Sequence, residues 1–392
     1  MNAADAATSI IETDFLLIGG GIAAVTAAQT LRNEGAKGGI ILLGAEPVPP
    51  YNCPLLTKNI VTGELRPDQI PLLPPERYAA DEIALRLGTA ARNVHPSDHR
   101  VTDHTGVVYQ YRKLLIATGA RPRELDVPGA GLDGIFKFRT LADALALRKW
   151  VSAAPGARAV VIGTSFIGME IATSLVRIGI RVTMIDQAAT VFPKVQSPRL
   201  SAYFLDRCKR YGIDVLLEDR VRAFHGTGRV AEVETLSGQH IACGSVILAV
   251  GAVPQTAFLE GSGLRVEDGV VVDEFLQASF PDIFAAGDVA TYPDPIGVWQ
   301  RTSIGIMRTS RGTLPPRICS GSASPTATYP TTSANFSVSA SRFSGRAKEP
   351  SFASAEVASK TSHSPSSTFD PGRSPGSSQP GGPRRRRARS TP

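Results

Sequence analysis

Up to about Trp299 short apolar runs alternate with amphipathic stretches, the pattern of strands and helices taking turns in an α/β chain. The first clear unit is "LLIGGGIAAVTAAQTLR", Leu16 to Arg32, which predicts a buried strand turning sharply into a helix. Gly19 makes the turn, Gly21 lets backbone approach a bulky group, and Ala24 stands where a helix packs tightly on a strand. The N–H groups of such a helix start hold a pyrophosphate. "ARAVVIGTSFIGMEIATSLVRIGIRVTMID" repeats strand, glycine turn, helix and strand. Its outer glycines are Gly163 and Gly168, and Ser165 replaces the middle one, where it is expected to narrow the gap open to a phosphate. Each unit then reaches an acid, Glu46 lying 27 residues after Gly19 and Asp186 lying 23 after Gly163. A carboxylate at that point accepts a hydrogen bond from a ribose 2′-OH and repels a 2′-phosphate. Three further strand ends, at Thr118-Gly119, Gly251 and Gly287-Asp288, offer turns of the same kind. The pattern predicts an α/β fold with two Rossmann-like domains for two dinucleotides.

Beyond Trp299 the periodicity stops, and Ser, Thr, Pro and Arg dominate. Such a segment cannot bury enough apolar surface to offset its ordering entropy, so a disordered, basic tail is expected over 301–392. The tail also changes what the net charge of +7 means. It holds 14 basic and 3 acidic residues, leaving 28 basic and 32 acidic in residues 1–300. The folded part is mildly acidic, so the basicity belongs to the tail. A nucleic-acid patch or localisation signal on the arginine run Arg384 to Arg389 is unlikely, because a shift of reading frame near 299–302 accounts for that run.

No apolar run is long enough to span a bilayer, and "MNAADAATSIIET" lacks the basic and apolar regions of a secretory leader. A cytoplasmic protein is expected. Cys53, Cys208, Cys243 and Cys319 form no C-x-x-C pair, so neither a metal site nor a disulfide framework is indicated.

Together the two glycine turns, their acids and the three ordered strand ends resemble the FAD-dependent pyridine nucleotide-disulfide oxidoreductase superfamily. The similarity is greatest to its ferredoxin reductase and apoptosis-inducing-factor-like branch, over roughly 13–300. The resemblance implies FAD on Gly19, Gly21, Ala24 and Glu46, with Thr118, Gly119 and Asp288 completing the site. It implies NADH on Gly163, Gly168 and Asp186, because an acid with no Arg directly after it disfavours NADPH. The domains implied are an FAD-binding domain in two parts, 13–125 and 247–300, with an NAD-binding domain inserted at 126–246. "PPYNCPLLTK", Pro49 to Lys58, is similar to the family's Pro-Tyr-x-Arg-Pro-x-Leu-Ser-Lys run. Lys58 then matches the lysine placed near flavin N5, and Glu170 the acid that pairs with it. Such an ammonium stabilises the negative charge of reduced flavin.

Electrons are expected to pass from NADH through flavin to an external iron–sulfur protein of ferredoxin or Rieske type, since the chain has no cluster ligands of its own. Cys53 departs from the pattern, standing where the family has Arg. In disulfide reductases a C-x-x-x-x-C pair lies here, but the partner position is Lys58. Cys53 acting alone on a peroxide or disulfide is the alternative enzyme reading. A defective flavoprotein remnant is the non-enzyme one.

The family continues past Gly287-Asp288 with Glu-His-Trp and later Asn-Met-Leu-Gly, then an interface domain. This chain instead reads "SIGIMRTSRGTLPPRICSG", Ser303 to Gly321. Codons for that stretch, read one nucleotide earlier, permit Glu-His-Trp-Asp-His-Ala, Tyr-Glu-Gln-Gly and Asn-Met-Leu-Gly at the family's spacing. The expectation is that the chain leaves its ancestral reading frame near 299–302. The same shift accounts for the tail's composition and for the arginine run Arg384 to Arg389.

Overall fold

Strands β1 (Ile10–Ile18), β2 (Ile40–Leu43), β3 (Ile83–Arg86), β4 (Ala91–His95), β5 (Arg100–Asp103) and β6 (Val108–Ile116) form one sheet, ordered β3-β2-β1-β6-β5-β4. The first three and β6 run parallel, while β4 and β5 are an antiparallel meander onto the first half of β6. The second half of β6, Leu114–Ile116, pairs in parallel with the strand Ile283–Ala285. In this computed structural model the described residues are 10–153, 156–273, 275–293 and 299–300, and the expected tail from 301 lies outside them.

Helix α1 (Ile22–Asn33) carries the chain from β1 to β2. Its buried face is Ala23, Ala24, Val25, Ala27, Ala28 and Leu31, mostly small side chains that let the helix lie close to the sheet. The strand segments beneath it, Phe15–Ile18, Ile40–Leu43 and Leu114–Ile116, are apolar, with Leu16, Leu17, Leu42 and Ile116 all fully buried. Burying each such side chain contributes roughly 1.5–3 kcal/mol. The short helix α2 (Pro75–Ala80) then leads into β3.

After β6 a short strand β7 (Ala120–Pro122) leaves this sheet. The chain goes on through β8 (Ile135–Lys137), helix α3 (Leu141–Ser152), β9 (Arg158–Ile162), helix α4 (Phe166–Arg177), β10 (Arg181–Ile185), helix α5 (Pro198–Arg210) and β11 (Ile213–Leu216). A three-stranded antiparallel sheet follows, β12 (Val221–His225), β13 (Glu232–Thr235) and β14 (His240–Ala242). Strand β15 (Ser245–Leu248) completes a second parallel sheet in the order β11-β10-β9-β15-β8. It runs two residues beyond the expected boundary at 246. Finally β16 (Ala252–Pro254) pairs antiparallel with β7, so the strands leaving for and returning from the second sheet lie side by side. This is an α/β fold with two Rossmann-like sheets, the second inserted between strands of the first.

Candidate functional site

Both glycine turns are dictated by backbone contact. Gly19 has φ +127°, and a Cβ there would stand 2.1 Å from the Ala117 carbonyl oxygen at the end of β6. Gly163 has φ +105° and would meet the Ala249 carbonyl at 2.4 Å. At these positions glycine is demanded by the protein itself. Gly21 differs: its φ of −87° and ψ of 176° suit any residue, and a Cβ would meet nothing within 4 Å. It begins α1, whose start carries no side-chain cap. Uncapped N–H groups with open space above them fit a pyrophosphate, and that space is what a side chain at Gly21 would fill.

The second turn is built otherwise. Gly168 packs α4 onto the turn, a Cβ there standing 2.2 Å from the Gly163 carbonyl. Ser165 caps α4, its hydroxyl accepting from the Gly168 N–H at 3.4 Å and donating to the Ala249 carbonyl at 3.1 Å. The hydroxyl is therefore turned into the fold by its own hydrogen bonds, while the side chain occupies the position that Gly21 leaves open in the first turn. Asp186, at the end of β10, accepts from the Thr164 N–H (2.6 Å) and hydroxyl (2.7 Å) through Oδ2, and from the Ala188 N–H (3.0 Å) through Oδ1. Gly163, Gly168 and Asp186 are brought to one place. The carboxylate is tied to the glycine turn and retains acceptor capacity for a ribose hydroxyl.

Around the first turn, Gly287 (φ +80°) lies against Ala23 in the first turn of α1, which delivers Asp288 beside that helix start. Asp288 pairs with Arg139 at 3.1 Å, and the same guanidinium lies 3.1 Å from where a Gly119 Cβ would be. Thr118 turns its hydroxyl to the Gln255 carbonyl (2.8 Å), joining the end of β6 to the returning chain. Ala24, in the first turn of α1, is completely buried against the sheet. Glu46 accepts from the Tyr51 hydroxyl, 2.9 Å from each carboxylate oxygen, and Tyr51 in turn accepts from the Leu141 N–H at 2.8 Å. Burial, then the neighbouring Glu46 charge, pushes the Tyr51 hydroxyl well above the ordinary tyrosine range, so it remains a donor to Glu46.

Arg139 and Tyr51 are the residues that sequence reasoning missed. Arg139 lies between β8 and the Thr140–Asp143 capping box of α3, with no glycine motif to mark it. Only the fold brings it to Gly119 and Asp288.

Lys58 belongs to a single widened turn, Leu56–Ile60, closed by a five-residue bond from the Val61 N–H to the Leu56 carbonyl. Its ammonium lies 3.1 Å from Glu170 Oε1, on α4. Thr57 donates to the other oxygen, Oε2, at 2.6 Å. One core underlies the contact, in which Leu56, Ile60 and Val61 cluster with Met169, Ile171 and Leu175 of α4. The turn on the first-sheet side and the helix of the second glycine turn thus meet at a shared carboxylate.

Cys53 is exposed as a residue, and its sulfur lies 3.9 Å from the Tyr51 carbonyl oxygen. Burial raises the thiol; Arg139 opposes this, and Glu46 adds to it. A thiol held up in this way is a poor nucleophile at neutral pH. Among the described residues no group of three or more His, Cys, Asp or Glu is placed to hold a metal, and no helix is long and apolar enough to cross a membrane.

Residues 13–309 match the pyridine nucleotide-disulphide oxidoreductase family. The chain belongs to this family. Among its relatives, rubredoxin-NAD(+) reductase of Pseudomonas putida is 35% identical over 276 residues, 70% of this chain and 71% of that protein. The ferredoxin–NAD(+) reductase component of the biphenyl dioxygenase system of Paraburkholderia xenovorans is 32% identical over 277 residues, 71% of this chain and 67% of that one. Among solved structures, the covalent putidaredoxin reductase–putidaredoxin complex matches with a TM-score of 0.74 at 27% identity, covering 86% of this chain and 77% of that one. A ferredoxin reductase from Rhodopseudomonas palustris matches at 0.71 and 31% identity, covering 74% and 72%. The family's two cofactors, FAD and NADH, suit the two glycine turns found here.

Proposed function

We propose that this chain is an FAD-dependent NADH oxidoreductase that passes electrons to an external iron–sulfur protein of ferredoxin, rubredoxin or Rieske type. The observation that carries the reading is the contact of Lys58 and Glu170, because it joins the turn beside the FAD site to the helix of the NADH site. The names of the relatives support the acceptor class. The FAD part comprises 13–125 and 247–300 and the NAD part 126–246, except that β15 carries the NAD sheet on to Leu248, and the β7–β16 pair is their seam.

FAD, when bound, supplies the chemistry that accepts a hydride and releases electrons singly. The chain's residues do the rest. The turn at Gly19 and Gly21 and the uncapped start of α1 hold the pyrophosphate, while Ala24 keeps that start close to the sheet. Asp288, Thr118, Gly119 and Arg139 line the adjoining crevice, and Glu46, steadied by Tyr51, receives a sugar hydroxyl. Gly163 and Gly168 shape the second turn, where Asp186 accepts the ribose hydroxyl of NADH and repels the 2′-phosphate of NADPH. Lys58 places a fixed positive charge beside the cofactor, and Glu170 holds it there. The alternative resting on Cys53 loses its support to the raised thiol and to the lysine at the second cysteine position. NADH as donor supports a cytoplasmic setting for the reaction.

The test mixes FAD-loaded full chain, NADH and an oxidised [2Fe–2S] ferredoxin or rubredoxin without oxygen. Bleaching of the iron–sulfur absorbance that requires all three components is the expected result. NADH consumption that follows added peroxide, with no reduction of either protein, would overturn it.

A further inference from the structure

The Lys58–Glu170 ion pair is half open to water, with 49% of the lysine side chain and 36% of the glutamate side chain accessible. An exposed pair of this kind is weak, because solvent screens it and both chains lose freedom in forming it. The terminal torsion of a glutamate is also broad and roughly two-fold. Left to itself, the Glu170 carboxylate would not present one fixed oxygen to Lys58. Something else must orient it.

We propose that Thr57 is the positioning residue for Lys58, acting through the second oxygen of Glu170. Thr57 is only 5% exposed, and its single hydroxyl proton has two acceptors in reach. The Pro54 carbonyl lies at 3.3 Å and Glu170 Oε2 at 2.6 Å. The shorter contact, to an ionised oxygen, takes the proton, and such charge-assisted bonds are roughly twice as strong as neutral ones. Binding Oε2 from the buried side fixes the carboxylate plane and turns Oε1 towards the ammonium. Two consecutive side chains of one turn, Thr57 and Lys58, therefore grip the two oxygens of a single carboxylate. The hydroxyl matters here, not the bulk of the side chain. That separates Thr57 from its neighbours Leu56 and Ile60, which serve the core.

The proposal rests on the reading of Lys58 as the cation serving the flavin, and two measurements separate them. The first uses the full chain without cofactor: the rate at which an amine-acylating reagent labels Lys58 is followed by peptide mass spectrometry. Thr57→Val, which keeps the shape and removes the hydroxyl, is expected to raise that rate about fivefold, the upper range for release of an exposed ion pair. Thr57→Ser should restore the wild-type rate, and Glu170→Gln should match Thr57→Val. Circular dichroism of each variant establishes that it is folded. Unchanged labelling in folded Thr57→Val, or equal increases in the Val and Ser variants, would overturn the proposal. The second measurement is the flavin midpoint potential, expected to fall in Thr57→Val and to return in Thr57→Ser. Labelling that responds while the potential does not would uphold Thr57 as the positioning residue and overturn the reading of Lys58 instead.

Discussion

Lys58 and Glu170 lie 112 positions apart in the chain and 3.1 Å apart in space, the lysine on a widened turn and the glutamate on the helix of the second glycine motif. The contact ties that turn to that helix. It also gives the account its first prediction. Lys58→Ala should slow flavin reduction by NADH about a hundredfold, in the range for removing one preorganised electrostatic group. The same variant should lower the flavin midpoint potential while leaving FAD bound. Rapid-mixing absorbance and potentiometric titration check the two parts.

Two glycines of the same motif should fail in opposite ways. Gly19→Ala drives a Cβ into the Ala117 carbonyl at a positive φ, and should cost more than about 3 kcal/mol of stability. Gly21→Ala meets no protein atom, so its thermal midpoint should match wild type while FAD affinity falls about tenfold or more through lost N–H contacts. Thermal melts paired with FAD titrations would show this crossing of effects.

The choice of nicotinamide cofactor should follow Asp186. Wild type should reduce its flavin at least about tenfold more efficiently with NADH than with NADPH. Asp186→Asn narrows the gap by removing the charge. It also sets an amide NH2 against either the Thr164 or the Ala188 N–H, at a cost of about 1–3 kcal/mol. Steady-state rates with both cofactors and a denaturant titration measure the two consequences.

Acid stability is set away from the site. Burial alone would raise Asp103, but hydrogen bonds from Thr105, Val107 and Tyr109 outweigh it and hold the carboxyl below its usual range. Asp219 is held down against burial in the same manner by Ser237, Thr235 and the Arg220 N–H. Both folded-state values lie below the unfolded aspartate value of about 3.9, so their stabilisation is complete above that pH and is lost as pH falls through the folded values. Asp103→Asn should lower the melting temperature at pH 6 and narrow its difference from wild type as pH falls below about 4.

What was legible in the sequence was whatever the backbone demands locally. A glycine forced to positive φ by a crossing strand, as at Gly19 and Gly163, leaves its mark in the residue itself, and so does an acid at the end of the following strand. Lys58 and Glu170 were singled out by their motif positions, and the fold brings them within 3.1 Å of each other. Three features were not legible. Arg139 reaches Asp288 only because β8 belongs to a sheet inserted between β6 and the strand Ile283–Ala285. The Tyr51–Glu46 bond depends on how one loop folds back on itself. The inward turn of Ser165 depends on the Ala249 carbonyl, 84 residues later. The expected change of reading frame, near 299–302, falls at the end of the described residues. Sequencing the gene against an intact relative is its test, with a one-base insertion or loss just upstream of the Ser303 codon as the expected result.

The central claim is that this chain binds FAD and reduces it with NADH, and its most direct measurement is the visible spectrum of purified full chain supplied with FAD in the absence of oxygen. After unbound FAD is removed, the account predicts a retained flavin spectrum whose visible band bleaches on adding one equivalent of NADH. Folded protein that retains no flavin, or retained flavin that NADH leaves fully oxidised, would contradict it.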